Sequence, residues 1–491
     1  MSGAALADRL TARLSATPKP VLVAFALVVA VKLGVLAMLG PLTQPDSFGY
    51  EAYANDILSG AFRHVDLAND PMPITLTRTI GIPAVIAAAK VAAGSGWTWA
   101  VVLLQFAVSL WATVMVYRLA RAFGLGVWLS LGIVAAQASA MQFVVDQAIL
   151  SDSLFGSTLT IAACILGLLA LRREPRSLLV YLGAGLLIAV SFLIRNVIAD
   201  MAIGLVPLAI AAALVQRSRL RQCAAVALVF LPLVAIHVAY TEWNRARVGA
   251  PVVTSIAQAA LLDALTEAAV YDPSIYSGST PIDAVGRFIL PKARVERLGY
   301  EYEMSKFLHD NYGWDAIRMS HEATTAYLHG WRDHPRPMIR HVLYHISETQ
   351  MHQAVRPIET VRDVLLWKTG SAQNFASERA VRAGNWWMIP AVIANWTAMT
   401  LSVFVFLAFL IVTPIRVVRE GWTAETAVAI GLWCFYFAVG GLYAAVHLEP
   451  RYLTPVVAGS IVIGTLNIVR VIEFFRDLAA AKKTNKKAKP A

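Results

Sequence analysis

The chain has 491 residues, 58% hydrophobic and only 15% charged, with a formal net charge of +11. Its mean hydropathy is +0.60. That composition argues against an ordinary soluble enzyme, a disordered chain or a secreted disulfide scaffold. The three cysteines (Cys164, Cys223, Cys434) all fall in apolar stretches, which points to neither a disulfide framework nor a Cys-rich metal site.

Ten stretches are long enough, or nearly so, to cross a hydrocarbon core that needs roughly 17–25 helical residues. They lie at about 20–40, 97–117, 127–142, 153–171, 178–194, 197–215, 223–240, 388–412, 423–446 and 453–470. The expected fold class is therefore an all-α polytopic membrane protein with about ten spans. The first stretch is followed by Pro-Leu-Thr-Gln-Pro rather than a small-x-small cleavage site, and reads as a span rather than a signal peptide. Basic residues gather at alternate ends: Arg9, Arg13 and Lys19 before the first span, Arg118 and Arg121 after the second, Arg172, Arg173 and Arg176 after the fourth. Arg217, Arg219 and Arg221 follow the sixth, Arg416 and Arg419 the eighth, and Arg470, Arg476 and five lysines from Lys482 to Lys489 the last. The positive-inside rule then places both termini in the cytoplasm of an inner (plasma) membrane protein, with 1–19 and the basic tail 471–491 on that side. The tail's expected partner is anionic lipid, not nucleic acid.

Residues 79–93 are apolar enough to be a short span, but counting them would send every later basic cluster outside. They read better as a juxtamembrane helix or re-entrant segment. Two excursions follow on the non-cytoplasmic face: a first loop, 41–96, within the membrane core 20–240, and a larger region, 241–387, before the last membrane helices, 388–470. The second carries 16 Lys/Arg and 16 Asp/Glu. Helical periodicity at 255–269 and 338–353, with Pro273, Pro281, Pro291, Pro335 and Pro357 as punctuation, predicts several short helices there, the last ended by Pro357.

Candidate chemistry sits where polar groups meet the outer membrane surface. Asp46 follows the first span at the start of a predicted helix that also carries Tyr50, and His64 lies farther along the same loop. Asp46 or Ser47 reads locally as a helix N-cap, a role compatible with a carboxylate that deprotonates an acceptor or binds a cation. Asp146 and Asp152 are the charges of the connection between the third and fourth spans, with Asp152 placed as an N-cap. Carboxylates at one mouth, Asp46 and Asp152 above all, could hold Mg²⁺ or Mn²⁺. Arg195 lies in a tight turn between the fifth and sixth spans and Arg78 in the first loop; snorkelling to headgroups and phosphate binding are both open to such arginines. His447, Glu449, Arg451 and Tyr452 form a polar knot between two apolar helices. His341, His345, Glu348 and His352 share a helical face, and three such ligands could hold zinc; but no spacing there is the His-Glu-x-x-His of metalloproteases, and seven of the ten histidines lie between 309 and 352, so a polar or interfacial helix face is the expected reading. There is no nucleotide-binding fingerprint, and no nucleotide cofactor is expected.

Three passages together resemble the membrane-integral GT-C glycosyltransferases, in particular the bacterial group similar to protein mannosyltransferases and lipid A aminoarabinose transferases (glycosyltransferase family 39-like). These are Pro45-Asp46-Ser47 with Tyr50 and Ala54, Arg78-Thr-Ile-Gly-Ile-Pro83, and His447-Leu-Glu-Pro-Arg-Tyr-Leu-Thr-Pro455. The resemblance covers roughly 20–240 and 385–470. It implies a GT-C-like helix bundle with outer juxtamembrane helices, a polyprenyl-phosphate-linked sugar donor, and an envelope glycan, glycolipid or protein acceptor at the outer face. It implies Asp46 as catalytic base, Asp152 (with Asp146 competing) as the second acidic residue, and Arg78 as a donor-phosphate ligand. Arg195 and Arg451 join Arg78 as phosphate-binding candidates, and Tyr50, His64, His447, Glu449 and Tyr452 complete the polar site. Ile82 and Thr79 depart from the family's aromatic and proline at those places. A lipid-linked glycan ligase and a flippase or transporter of lipid-linked sugars are the alternative functions.

Overall fold

The computed structural model describes residues 17–138, 141–172, 175–295, 300–347, 397 and 400–487. Glu348, His352, Pro357 and the first part of the predicted span 388–412 (388–396, 398 and 399) lie outside the described residues. The regular secondary structure of the described residues is all helical, apart from one isolated parallel bridge between Leu42 and Ala148. Its principal helices are α1 (Lys19–Leu39), α2 (Pro45–Ser59), α3 (Gly81–Ala93), α4 (Trp97–Ala122), α5 (Val127–Ala138), α6 (Met141–Gln147), α7 (Ser151–Arg172) and α8 (Leu178–Ile194). They continue with α9 (Arg219–Val248), α10 (Ile256–Tyr271), α11 (Pro281–Ala293), α12 (Glu301–Tyr312), α13 (Ala316–Asp333), α14 (Pro335–Ser347), α15 (Ala424–Val446) and α16 (Thr454–Lys487).

Among the described residues, seven helices are long and apolar enough to cross a membrane, and the bent pair α5–α6, with a 47° angle, makes an eighth if it is one span. Two of the predicted spans are shorter: α8 has 17 residues, and 198–213 is broken by a 3₁₀ turn at Ala202–Leu205. α3 and α4 run on as one apolar stretch of 42 residues. At 1.5 Å per residue that is about 63 Å, roughly twice a hydrocarbon core, so only part of it fits within a bilayer. α7 is the axis of the bundle, buried along nearly its whole length, and α4, α8, α15 and α16 pack around it. α1 is the opposite case, with only Val21, Lys32 and Leu36 of its 21 residues buried.

Helices α10 to α14 form a second layer with its own apolar core, including Leu265, Tyr276, Ile289, Met304, Trp314 and Met319. These short helices fall within the region 241–387. Pro273 and Pro281 begin helical turns and Pro335 begins α14, where a missing N–H costs nothing. Pro291, however, lies inside the last turns of α11 rather than bounding it. The layer is tied to the bundle by Tyr327, whose hydroxyl donates to the Ala445 carbonyl at 2.7 Å.

Candidate functional site: an arginine–carboxylate cluster at one mouth of the bundle

The C-terminal ends of α1, α8 and α15 and the N-terminal ends of α2, α7 and α16 meet at one mouth of the bundle. The basic flanks Arg118, Arg121, Arg172 and Arg219 lie on the opposite ends of their helices, and Arg416, in the helix Thr413–Glu420, pairs with Glu425 at the far end of α15. α2 begins at Pro45, with Gln44 as the N-cap residue rather than Asp46 or Ser47. The Ser47 hydroxyl accepts from the Gln44 N–H and donates to the Ile149 carbonyl at 2.7 Å. Asp46 is thereby left free of capping and pointed at arginine. Arg78, the residue that ends the short helix Ile74–Thr77, places Nη2 2.8 Å from Asp46 Oδ1. Arg451 Nη1 lies 3.3 Å from Asp46 Oδ2 and 4.0 Å from Asp152 Oδ2.

Asp152, in the first turn of α7 where a negative charge suits the helix dipole, is 1% exposed and 2.8 Å from Arg195 Nη1. Arg195 is held at the end of α8 by its own N–H bond to the Ser191 carbonyl. Its guanidinium also reaches the Tyr443 hydroxyl at 3.4 Å and lies 4.4 Å from the centre of the Tyr452 ring. Glu449 accepts from Arg451 Nη2 and Tyr452 Oη, both at 3.1 Å, meets His447 Nε2 at 3.2 Å, and has its other oxygen 2.6 Å from Arg451 Nε in the same ion pair. Tyr50 lies under the Arg78 guanidinium and bonds Ser151 at 3.0 Å. Three guanidiniums thus interleave with three carboxylates, with tyrosines walling them in. Burial alone would raise the pKa of Glu449, but His447 and Arg451 pull it down to about 2. His447 is moved the other way: burial opposes its charge, and the Glu449 carboxylate beside it wins, raising its pKa.

The structure therefore brings together Asp46, Tyr50, Arg78, Asp152, Arg195, His447, Glu449, Arg451 and Tyr452. It does not bring in two others. His64 stands exposed after the turn Ala61–Arg63, outside the cluster's bonds. Asp146 is fully buried elsewhere, in an ion pair with Lys32 of α1, and also accepts from Gln142 at 2.6 Å and Ser153 at 2.5 Å. The oxygens proposed for Mg²⁺ or Mn²⁺ on Asp46 and Asp152 are engaged by guanidiniums, so a divalent ion there would have to displace them. Gly81 is needed for close packing: a Cβ there would lie 2.5 Å from the Leu193 carbonyl oxygen, two residues before Arg195. Ile82, where the family has an aromatic, is buried in the main core.

Sequence reasoning missed Lys32, Tyr443 and Glu267. Tyr443 lies four residues before His447, a spacing that could have revealed it. Glu267 on α10 meets His341 and His345 on α14 in a buried group whose ligand-type atoms lie within 4.8 Å of one another, a set consistent with a divalent metal site. Apart from this group, helices α10 to α14 hold an open cleft of about 430 Å³ lined by Trp314, Arg318, His329 and Asp333, which includes no residue of the arginine cluster.

No protein-family model and no curated protein sequence matches the chain. Two solved structures are similar over nearly its whole length. One is the Archaeoglobus fulgidus oligosaccharyltransferase in the apo form, at 13% identity and a TM-score of 0.45, covering 94% of this chain and 52% of that one. The other is the archaeal oligosaccharyltransferase AglB from Archaeoglobus fulgidus in complex with an inhibitory peptide and a dolichol-phosphate. It is 12% identical with a TM-score of 0.44, covering 95% of this chain and 52% of that one. The chain spans about half the length of those proteins.

Proposed function

We propose that this protein is a GT-C-type glycosyltransferase that moves a monosaccharide from a polyprenyl-phosphate donor to an envelope acceptor at the outer face of the membrane. The observation that carries the reading is Asp46 held between Arg78 and Arg451 at the bundle mouth, with Asp152 and Arg195 beside it. Such a cluster is charge-balanced until an anion arrives. A donor phosphate competes with Asp46 for Arg78, because a guanidinium binds phosphate through the same paired donors it offers a carboxylate. Displacement frees a carboxylate oxygen next to the bound phosphate. Asp46 then takes the proton of an acceptor hydroxyl as its oxygen bonds to the anomeric carbon, and the bond from that carbon to the phosphate oxygen breaks. Polyprenyl phosphate leaves with the bonding pair, its charge met by Arg78, Arg195 and Arg451. Asp152 keeps Arg195 oriented. No step is routed through Mg²⁺ or Mn²⁺, since guanidiniums already occupy the carboxylates that would hold either ion.

The basic ends opposite the cluster support an outer active face and cytoplasmic termini. A transporter needs polar groups along a path through the membrane. The Lys32–Asp146 ion pair between membrane helices is 3% and 0% exposed, closed off from solvent. The test is sugar transfer by purified protein from a panel of short-chain polyprenyl-phosphate monosaccharides, wild type beside Asp46→Asn. Transfer or donor hydrolysis that collapses in Asp46→Asn is the expected result. Silence across the panel in folded protein, or turnover indifferent to Asp46, would overturn the reading in favour of the ligase or flippase.

A further inference from the structure

The outer helical layer carries a second polar centre that the arginine cluster does not use. His341 and His345 stand one turn apart on α14, and Glu267 reaches both from α10. Its Oε2 lies 3.3 Å from His341 Nδ1 and 3.0 Å from His345 Nε2. All three side chains are nearly or wholly inaccessible, at 4%, 0% and 4% exposure for Glu267, His341 and His345. Two ligands on a tetrahedral ion with bonds of about 2.0–2.1 Å are themselves about 3.3 Å apart. These contacts already have that spacing.

His341 supplies the second observation. It is fully buried, and neither of its ring nitrogens makes a hydrogen bond among the described residues, its approach to Glu267 lacking hydrogen-bond geometry. A buried imidazole without partners is costly and calls for a group that satisfies it. We propose that Glu267, His341 and His345 bind one divalent ion of the zinc class, joining the outer layer to the arginine–carboxylate mouth. Two imidazoles and one carboxylate suit Zn²⁺, whereas Mg²⁺ and Ca²⁺ select oxygen ligands. Three protein ligands leave one position of a tetrahedral shell for water. The neighbour on the cluster side is His447, its ring centre 5.9 Å from that of His345 and its Nε2 on Glu449, which in turn grips Arg451. An ion here fixes α14 against α10 and, through His345 and His447, braces the Glu449–Arg451 pair. The assignment does not depend on the transferase reading.

The experiment uses full-length protein in detergent on a non-histidine affinity tag, stripped of metal and dialysed against micromolar zinc. Elemental analysis should find about one zinc per chain that excess Mg²⁺ does not displace, and Co²⁺ substitution should give visible d–d absorption. Both should disappear in Glu267→Gln and His345→Asn. Wild-type thermal unfolding gives a reading that needs no variant: zinc should raise Tm and equal Mg²⁺ should not. Folded wild type that retains less than a tenth of a zinc per chain, with no Tm shift, would overturn the proposal and leave Glu267 as a hydrogen-bonded clamp. Undiminished zinc and cobalt spectra in monodisperse variants would overturn it equally.

Discussion

Arg451 is the keystone of the mouth, and Arg451→Lys is the substitution that tests the cluster as a unit. Its guanidinium lies 3.3 Å from Asp46, 4.0 Å from Asp152 and 2.6 Å from Glu449. A lysine keeps the charge but offers one compact ammonium, which can satisfy Glu449 or Asp46 but not span both. A charge-assisted hydrogen bond contributes about 1.5–3 kcal/mol. Losing one such bond to the developing phosphate charge therefore predicts a fall in kcat/KM of about 10- to 150-fold, at 1.4 kcal/mol per decade. Full loss is not expected, because Arg78 and Arg195 remain. The assay is transfer from a short-chain polyprenyl-phosphate sugar, with Lys292→Gln as a control, since the Lys292–Glu303 pair lies on the exposed outer layer. Arg451→Lys turnover within threefold of wild type, in protein of unchanged Tm, would refute a working role for this interleaved arrangement.

Further expectations concern packing and pH. Gly81→Ala should lower stability by about 1–3 kcal/mol in thermal unfolding, because the new Cβ meets the backbone of Leu193 and neither helix end can yield without moving the other; an unchanged Tm would show that α3 and α8 are not in that contact. Glu449 has its pKa lowered to about 2 from an unfolded value near 4.5. A depressed carboxylate contributes stability above pH 4.5 and loses it as pH falls toward 2. The Tm deficit of Glu449→Gln should thus be full at pH 6 and shrink steadily below 4.5. A deficit that holds constant from pH 6 to pH 3.5 would contradict the pairing with His447 and Arg451.

Much of the architecture was legible because a bilayer leaves so few options. Every spanning backbone must satisfy its own polar groups, so apolar length announces helices, and the described parts of the ten expected stretches are helical. Helix ends were harder, and so were breaks such as the one after Met201, because local capping and packing decide them. Asp46, Arg78, Asp152, Arg195 and the 447–452 knot were legible as polar residues beside apolar stretches, yet nothing in their spacing fixed which carboxylate faces which arginine. Asp146 and Asp152 illustrate the limit. Six residues apart in one connection, they diverge because α6 ends with Asp146 facing α1 while α7 begins with Asp152 facing Arg195. The partner that settles this is Lys32, a single charge in an otherwise apolar span. Likewise, the histidines at 341 and 345 recur on a helix face, but the carboxylate they meet among the described residues is Glu267 on another helix, which no local spacing announces.

Lys32 also explains how Asp46 comes to be placed. α1 exposes most of its surface, and lipid tails are as apolar as its side chains, so burial gives it little preference for the bundle over the bilayer. What holds it is polar: the Lys32–Asp146 pair, the contact of Lys32 Nζ with Ser109 at 3.3 Å, and the Leu42–Gln147 and Ile149–Leu42 backbone bonds just beyond. That same segment carries Gln44, Ser47 and Asp46. Lys32→Met should strand Asp146 in a site with no solvent, with only Gln142 and Ser153 left to it, and breaking a buried pair from one side costs about 3–5 kcal/mol. Lys32→Met combined with Asp146→Leu should recover most of that loss, since a matched apolar pair is often neutral. Transfer activity should follow a different course, staying low in the double variant because α1 is no longer pinned and Asp46 no longer meets Arg78 reliably. Chemical denaturation in detergent gives the coupling and the transfer assay gives the split. Additive stability losses with no coupling between the two positions, or a double variant restored in both stability and turnover, would show that this pair does not position Asp46.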